Sequence, residues 1–494
     1  MVETEKVTEA PQRLSFMRSP RFHFIAVALL IGGFSLWWTK FSLGTRLGND
    51  DVMNLNYAWG PPLYRLIAAL FVPFTPFYRP SGAALYRLIF DLFGLNFLPF
   101  RIAVHLMLLV NLYLVWKLAK ILSGSTETGA MAALLYAFHG RLTGIYLNNG
   151  TIYDVLCATL TLATLLYYVS IRESGRHFRG RQWVWLYLLF TFALNAKEMA
   201  AVIPVLLFLY EALYQGRSMR PLAPIVLTAA TLIAARVKTG PRALFHGNAA
   251  YAATFTLDQF LDHSRSLMTH LVYGTGDGLT IRQMLAIWIA VLAIAAVSRR
   301  KFLWFAASFA MLAPLPVIFI PYRGFFVMYL PLAGWVMFVA GVLVGVRNWL
   351  WARLWKRPPL PPNPFEPERV FLFLIVALLM VWIPAHDEGS EMTYRDASQF
   401  YIRRTKKDIL ALNEPLPKHA KVLILHDRFP ADSYAPIQTW RLVYRDRDLW
   451  IDRPTMMKHP LNEAEYDRVF DYVGDRLVVV RARSGSGRLI RPRS

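Results

Sequence analysis

Apolar residues run through this chain in stretches of 14 to 22 positions, broken by short polar segments. A bilayer core takes roughly 20 residues of helix to cross, so the pattern predicts a protein that crosses repeatedly. Eleven spans follow, near residues 22 to 40, 99 to 118, 128 to 147, 154 to 171, 183 to 196, 199 to 214, 221 to 238, 282 to 298, 302 to 320, 325 to 346 and 370 to 384. Residues 183 to 214 are too long for one crossing and short for two, which predicts two short helices with a turn at "NAKE", Asn195 to Glu198. Irregular backbone at membrane depth persists only where protein or a cavity surrounds it, so that turn is expected to line a cavity.

Two longer stretches between spans, 41 to 98 and 239 to 281, break the rhythm. The first carries the Pro-containing breaks "WGPP" and "PFTPFYRP", and the second holds "TFTLDQFLDHSRSLMTHLVYG", whose apolar positions fall at helical spacing. Both read as helices lying along the membrane surface. "RPPLPPNPFEPER", 357 to 369, reads as a Pro-rich linker before the last span. Beyond residue 385 the pattern changes: "KVLILHD" and "DRLVVVRAR" read as strands and Tyr394 to Leu412 as a helix. The chain therefore divides into a tail (1–21), a membrane region (22–384) and a small α/β domain (385–494).

Hydrophobic residues make up 55% of the 494, in keeping with a polytopic α-helical membrane protein of about eleven transmembrane helices. A net charge of +22 would suggest nucleic acid in a soluble chain, but here the cations gather between apolar runs. They act as topology determinants and lipid contacts, and no nucleic-acid partner is expected. With a cytoplasmic N-terminus, every inner loop carries Lys or Arg, including Arg172, Arg176, Arg179 and Arg181, then Arg299, Arg300 and Lys301. The α/β domain is then extracytoplasmic, on a multi-pass protein of the plasma or inner membrane. Cys157 is the single cysteine, so a disulfide within the chain is excluded.

On this topology Asp50 and Asp51, in "GNDDVMN", lie just past the outer end of the first span. Adjacent helical residues point about 100 degrees apart, so one carboxylate can face a substrate while the other caps the helix. Arg79, His139, Arg141, Asn148, Asn149, Asp154, Lys197, Glu198 and Arg323 gather on the same side. Singly each has an ordinary explanation: a local ion pair of Lys197 with Glu198, a snorkelling Arg323, a satisfied buried His139. Together they are harder to dismiss, because ionisable groups near a membrane are costly and usually functional.

The acidic pair, then "YRPSGAALYRLIFDLFGLNFLPFRIAVHLMLLVNL", "FHGRLTGIYLNNGTIYDVL", "NAKEMAAVIPVLLFLYE" and "RGFFVMYLPLAG", occur in one order over residues 48 to 334. In these motifs the chain resembles the integral-membrane glycosyltransferases of the GT-C superfamily, near the protein O-mannosyltransferases and the transmembrane mannosyltransferases with tetratricopeptide repeats. The repeats themselves are missing. The resemblance implies a GT-C-like fold and transfer of a mannose-like hexose from a polyprenyl-phosphate carrier to a hydroxyl acceptor, protein or glycan, on the outer face. It implies Asp51 as general base with Asp50 next in line. Arg323, Arg79 and Lys197 would bind the donor phosphate, Glu198 would orient Lys197, and His139 and Asp154 would shape the acceptor or sugar pocket. No cofactor is favoured, although carboxylate and phosphate oxygens would suit a divalent cation at Asp50.

Two other classes compete. A transporter or lipid flippase predicts acids near the bilayer midplane and repeated broken helices, neither of which the sequence offers. A non-catalytic assembly protein would use the C-terminal domain for binding and need no acid-base cleft.

Overall fold

The computed structural model describes residues 20–72, 79–175, 178–216, 222–239, 253–321, 324–354, 367–390, 397–457, 461–483 and 489–490. Arg323, the "PFTPFY" break, most of the Pro-rich linker and residues 240–252 fall outside them.

The chain opens with α1 (Pro20–Thr39), followed by three shorter helices, α2 (Asn49–Trp59), α3 (Leu63–Phe71) and α4 (Pro80–Phe93). Then come α5 (Phe97–Ser123), α6 (Thr126–Tyr136), α7 (Ile152–Glu173), α8 (Gly180–Ala196), α9 (Ile203–Tyr210) and α10 (Ala223–Thr239). After α11 (Leu257–Leu271), the helix expected from its spacing, follow α12 (Ile281–Ser298), α13 (Lys301–Leu312), α14 (Tyr329–Leu354) and α15 (Pro367–His386). The centre is formed by α5 against α6 and α7, with α14 packed on α6, α7 and α13. Small residues allow the closest approach: a Cβ at Gly334 of α14 would run into the Ala310 backbone nitrogen on α13.

The punctuation is local chemistry. Gly94, at φ 58°, ends α4 with its N–H on Phe90 O. Asn96 then starts α5 by accepting from Leu98 N at 3.2 Å. Gly124, at φ 70°, closes α5, and Ser125 caps α6 through Thr128 N at 3.2 Å.

Among the described residues eight helices are long and apolar enough to cross a bilayer: Phe24–Gly44, Phe97–Ser123, Asn149–Glu173, Glu198–Gln215, Ile281–Ser298, Lys301–Ile318, Phe325–Leu354 and Glu368–His386. They account for eight of the eleven expected spans. The run at 128 to 147 is not one helix, because α6 stops at Tyr136 and gives way to short 3-10 and α turns. The runs at 183 to 196 and 221 to 238 are α8 and α10, each of 17 residues. The break between α8 and α9 falls where the sequence placed it: Lys197 is extended, with φ −161° and ψ 149°.

The C-terminal region holds α16 (Ala397–Leu412), β1 (Lys421–Ile424), α17 (Ala435–Tyr444), β2 (Trp450–Asp452), β3 (Arg468–Val473), β4 (Arg476–Arg483) and β5 (Leu489–Ile490). Its mixed sheet runs β2-β1-β3-β4-β5, with β1 parallel to β2 and β3 and the remaining pairs antiparallel. Trp440 packs at a tilt against Phe470 in its core, at 4.7 Å between ring centroids. The domain docks on the short helices after α1. There α17 packs on α2, Arg445 lies over the Phe90 ring at 5.1 Å, and Arg447 over Trp59 at 5.0 Å.

Candidate active site

The acidic pair opens α2, and its two members live in different surroundings. Asp51 is 1% exposed, while Asp50 is exposed. The carboxylate of Asp51 folds back to accept from Gly48 N at 2.7 Å, satisfying a helix N-terminus that Gly48, with no side chain, cannot cap. Its other oxygen accepts from Tyr86 Oη at 3.1 Å, and the same hydroxyl donates to Asn149 O at 2.8 Å. Asp50 stands against Gly150. A Cβ at position 150 would lie 2.9 Å from the Asp50 Cβ, so only glycine lets that loop come so close.

Beneath them lies a residue that the sequence reading passed over. Arg101, in the second turn of α5, is fully buried and donates to Asn149 Oδ1 at 2.9 Å and to Tyr146 O. It fixes the 146–149 loop and lends positive charge to Asp51. An arginine one turn inside an apolar run was the available signal. Arg87 of α4 was passed over as well. It donates to the carbonyls of Trp59 and Pro61 at 2.8 and 3.1 Å, closing the C-terminus of α2.

A second layer continues from Tyr86, whose ring lies 5.6 Å from that of Tyr153, which in turn faces the Arg79 guanidinium at 5.7 Å. Arg79 grips Glu198 with Nε at 3.2 Å and a second N–H on the other oxygen. Lys197 pairs with Asp154, both buried, and its ammonium lies 5.2 Å from the Phe326 ring. The expected Lys197–Glu198 pair is thus replaced by two crossed pairs. The physical reason is the extended backbone at Lys197, since neighbouring side chains on extended chain point to opposite sides. The structure therefore brings Asp50, Asp51, Arg79, Asp154, Lys197 and Glu198 into one contiguous region at the end of the bundle where α1 ends and α5 begins.

His139 belongs to a different cluster. Its ring stacks on Tyr273 at 4.4 Å and its Nε2 lies 3.1 Å from Leu271 O. Next to it, Arg141 forks onto Asp387, with Nε 2.8 Å from Oδ2, and donates to Gly274 O at 2.6 Å. Together they tie the segment after α6 to the loop after α11 and to the residue following α15.

Burial raises the Asp51 carboxyl to about 7, against the opposing pulls of the Gly48 and Tyr86 hydrogen bonds and the Arg101 charge. The folded value lies above the unfolded one, near 4. The stability tied to this group is therefore complete below about pH 4 and lost as pH rises through 7. Between pH 5 and 8 the wild type is expected to lose melting temperature faster than Asp51→Asn, which cannot ionise. Parallel melting curves of the two proteins across that range would contradict this account.

Residues 75–238 match the family described as dolichyl-phosphate-mannose-protein mannosyltransferase, a segment that contains Arg79, Tyr86, Arg101, Asn149, Asp154, Lys197 and Glu198. No curated protein matches the chain. Among solved structures the chain is similar to the Archaeoglobus fulgidus oligosaccharyltransferase, solved with a tethered acceptor peptide containing the NVT sequon, at a TM-score of 0.51 and 11% identity. The match covers 92% of this chain and 65% of that one, so the chain spans about two thirds of that protein's length. At such identity the likeness concerns the fold, and it reaches well beyond the family segment. By segment, residues 75–238, about a third of the chain, match the dolichyl-phosphate-mannose-protein mannosyltransferases, and by fold the chain is similar to the archaeal oligosaccharyltransferase.

Proposed function

We propose that this protein moves a mannose-like hexose from a polyprenyl-phosphate carrier to a hydroxyl of a protein or glycan acceptor on the outer face of the membrane, with Asp50 as general base. The observation that carries the reading is the exposed Asp50 carboxylate at the rim of the bundle. Its partner Asp51 is committed to the fold, and two oriented cations, Arg79 and Lys197, lie in the adjoining layer. Sequence pattern favours Asp51 for the base; geometry favours Asp50, because the Asp51 carboxylate is buried and already engaged with Gly48 and Tyr86.

The acceptor hydroxyl gives its proton to Asp50 as its oxygen bonds to the anomeric carbon, and the bond from that carbon to the phosphate oxygen breaks. The electron pair leaves with the lipid phosphate, and Arg79, Lys197 and Arg323 offset the charge that develops there. Glu198 and Asp154 hold the first two cations in place. His139 serves the loops rather than the sugar.

We take the N-terminus as cytoplasmic and the C-terminal domain as extracytoplasmic, with α8 and α10 crossing at roughly 26 Å each and the 126–147 segment completing eleven passes. The test is transfer of radiolabelled mannose from polyprenyl-phosphate mannose in membranes holding the full chain, with and without chelator. Transfer that survives chelator is expected. Loss with chelator would place a divalent cation between Asp50 and the phosphate, and no transfer from any of a panel of lipid-phosphate sugars would overturn the reading.

A further inference from the structure

A cleft of about 580 Å³ opens between the segment following α1, the start of α5 and one face of α16. Four cations line it: Arg46 and, at helical spacing on α16, Arg403, Lys406 and Lys407. Leu95 and Phe97 supply part of its apolar wall. Among the described residues no carboxylate lines it. Lys406 donates to Leu95 O at 3.0 Å, and the Arg46 guanidinium lies over Phe97 at 4.9 Å. Burial, and then the charge of Arg403, pull the Arg46 guanidinium below its ordinary value. Like charges three and four residues apart on a helix repel, so this arrangement opposes itself unless an anion joins it.

The position of the cleft fixes the kind of anion. Arg46 lies two residues past the first membrane-crossing helix, Phe24–Gly44, and Phe97 is the first residue of the second, Phe97–Ser123. The end of one and the start of the next face the same side, so the cleft lies at headgroup level whichever way the protein is oriented. Cations beside apolar wall at that depth match a phosphate with hydrocarbon attached. We propose that the cleft binds an anionic phospholipid, its phosphate held by Arg46, Arg403, Lys406 and Lys407 and its first chain carbons against Leu95 and Phe97, so that a membrane lipid ties α16 of the C-terminal domain to the membrane region. The proposal does not depend on sugar transfer.

The experiment uses the full chain purified in a neutral detergent. Binding of short-chain phosphatidylglycerol, phosphatidylcholine of the same chain length and inorganic phosphate is followed by native mass spectrometry and by the melting temperature. The comparison protein is Arg403→Gln with Lys407→Gln, both exposed and therefore safe for folding. Arg404→Gln, whose side chain pairs with Asp408, serves as control. Tighter binding of phosphatidylglycerol than of phosphatidylcholine is expected, weakened roughly thirtyfold in the double variant at about one kcal/mol per cation and unchanged in the control. Equal binding of the two lipids, or undiminished binding by the double variant, would overturn the site. Stabilisation by inorganic phosphate alone that matches phosphatidylglycerol would overturn the lipid assignment.

Discussion

Asp50→Asn is expected to abolish sugar transfer while leaving the protein folded and its melting temperature within a degree or two of wild type. A positioned general base is worth about 10² to 10⁴ in rate, and the amide keeps the shape of the carboxylate while losing its basicity. Little stability is at stake, because Asp50 is exposed and the N-terminus of α2 is satisfied by Asp51. Asp51→Asn divides the other way. Its amide oxygen can still accept one hydrogen bond, so it is expected to keep transfer within about tenfold while changing the pH dependence of melting. The two variants, assayed at matched expression with polyprenyl-phosphate mannose, separate the reacting carboxylate from the structural one. If Asp51→Asn is dead and Asp50→Asn active, the assignment reverses and a route for the acceptor to the buried carboxylate has to exist.

Arg101→Met is expected to destabilise the fold strongly, by about 1 to 3 kcal/mol for each buried acceptor left without its donor. The methionine fills much of the volume but leaves Asn149 Oδ1 and the Tyr146 carbonyl without the donor they have now, and it strips Asp51 of a nearby positive charge. In detergent this variant is expected to melt well below wild type, whereas Arg101→Lys, which keeps the charge but not the fork, falls between. Because the same guanidinium sets the 146–149 loop that meets Asp50, transfer by whatever folded protein remains is expected to drop as well. A melting temperature equal to wild type for Arg101→Met would show that the buried network contributes nothing net.

The hydropathy pattern carried most of the fold, because apolar runs of membrane length have few ways to be satisfied. It marked the break at Lys197, the helix Leu257–Leu271 and the strands at Lys421–Ile424 and Arg476–Arg483. It did not show that within residues 128 to 147 the helix ends at Tyr136, although the composition stays apolar. At the site the acidic pair and the cations were legible as ionisable residues in costly places. Their pairing was not, since Arg79 meets Glu198 across 119 residues and Lys197 meets Asp154 across 43. Periodicity reports which face a residue occupies, not which distant residue shares it. Nor did it show that Asp51 points inward and Asp50 outward, a distinction made by Tyr86 and the Gly150 approach. The docking of Arg445 and Arg447 on Phe90 and Trp59 was likewise invisible, as both arginines look like ordinary surface charge.

The Arg141 clasp bears on the order in which the protein is made. Its guanidinium finds acceptors 133 and 246 residues further along, at Gly274 and Asp387. At about 5 to 20 residues per second, the ribosome needs on the order of tens of seconds to deliver the second of these. Throughout that interval Arg141 lacks its carboxylate partner. Closure is therefore a late event in biogenesis, and a nascent chain stopped short of Asp387 is left open at the very end of the bundle that carries the acids.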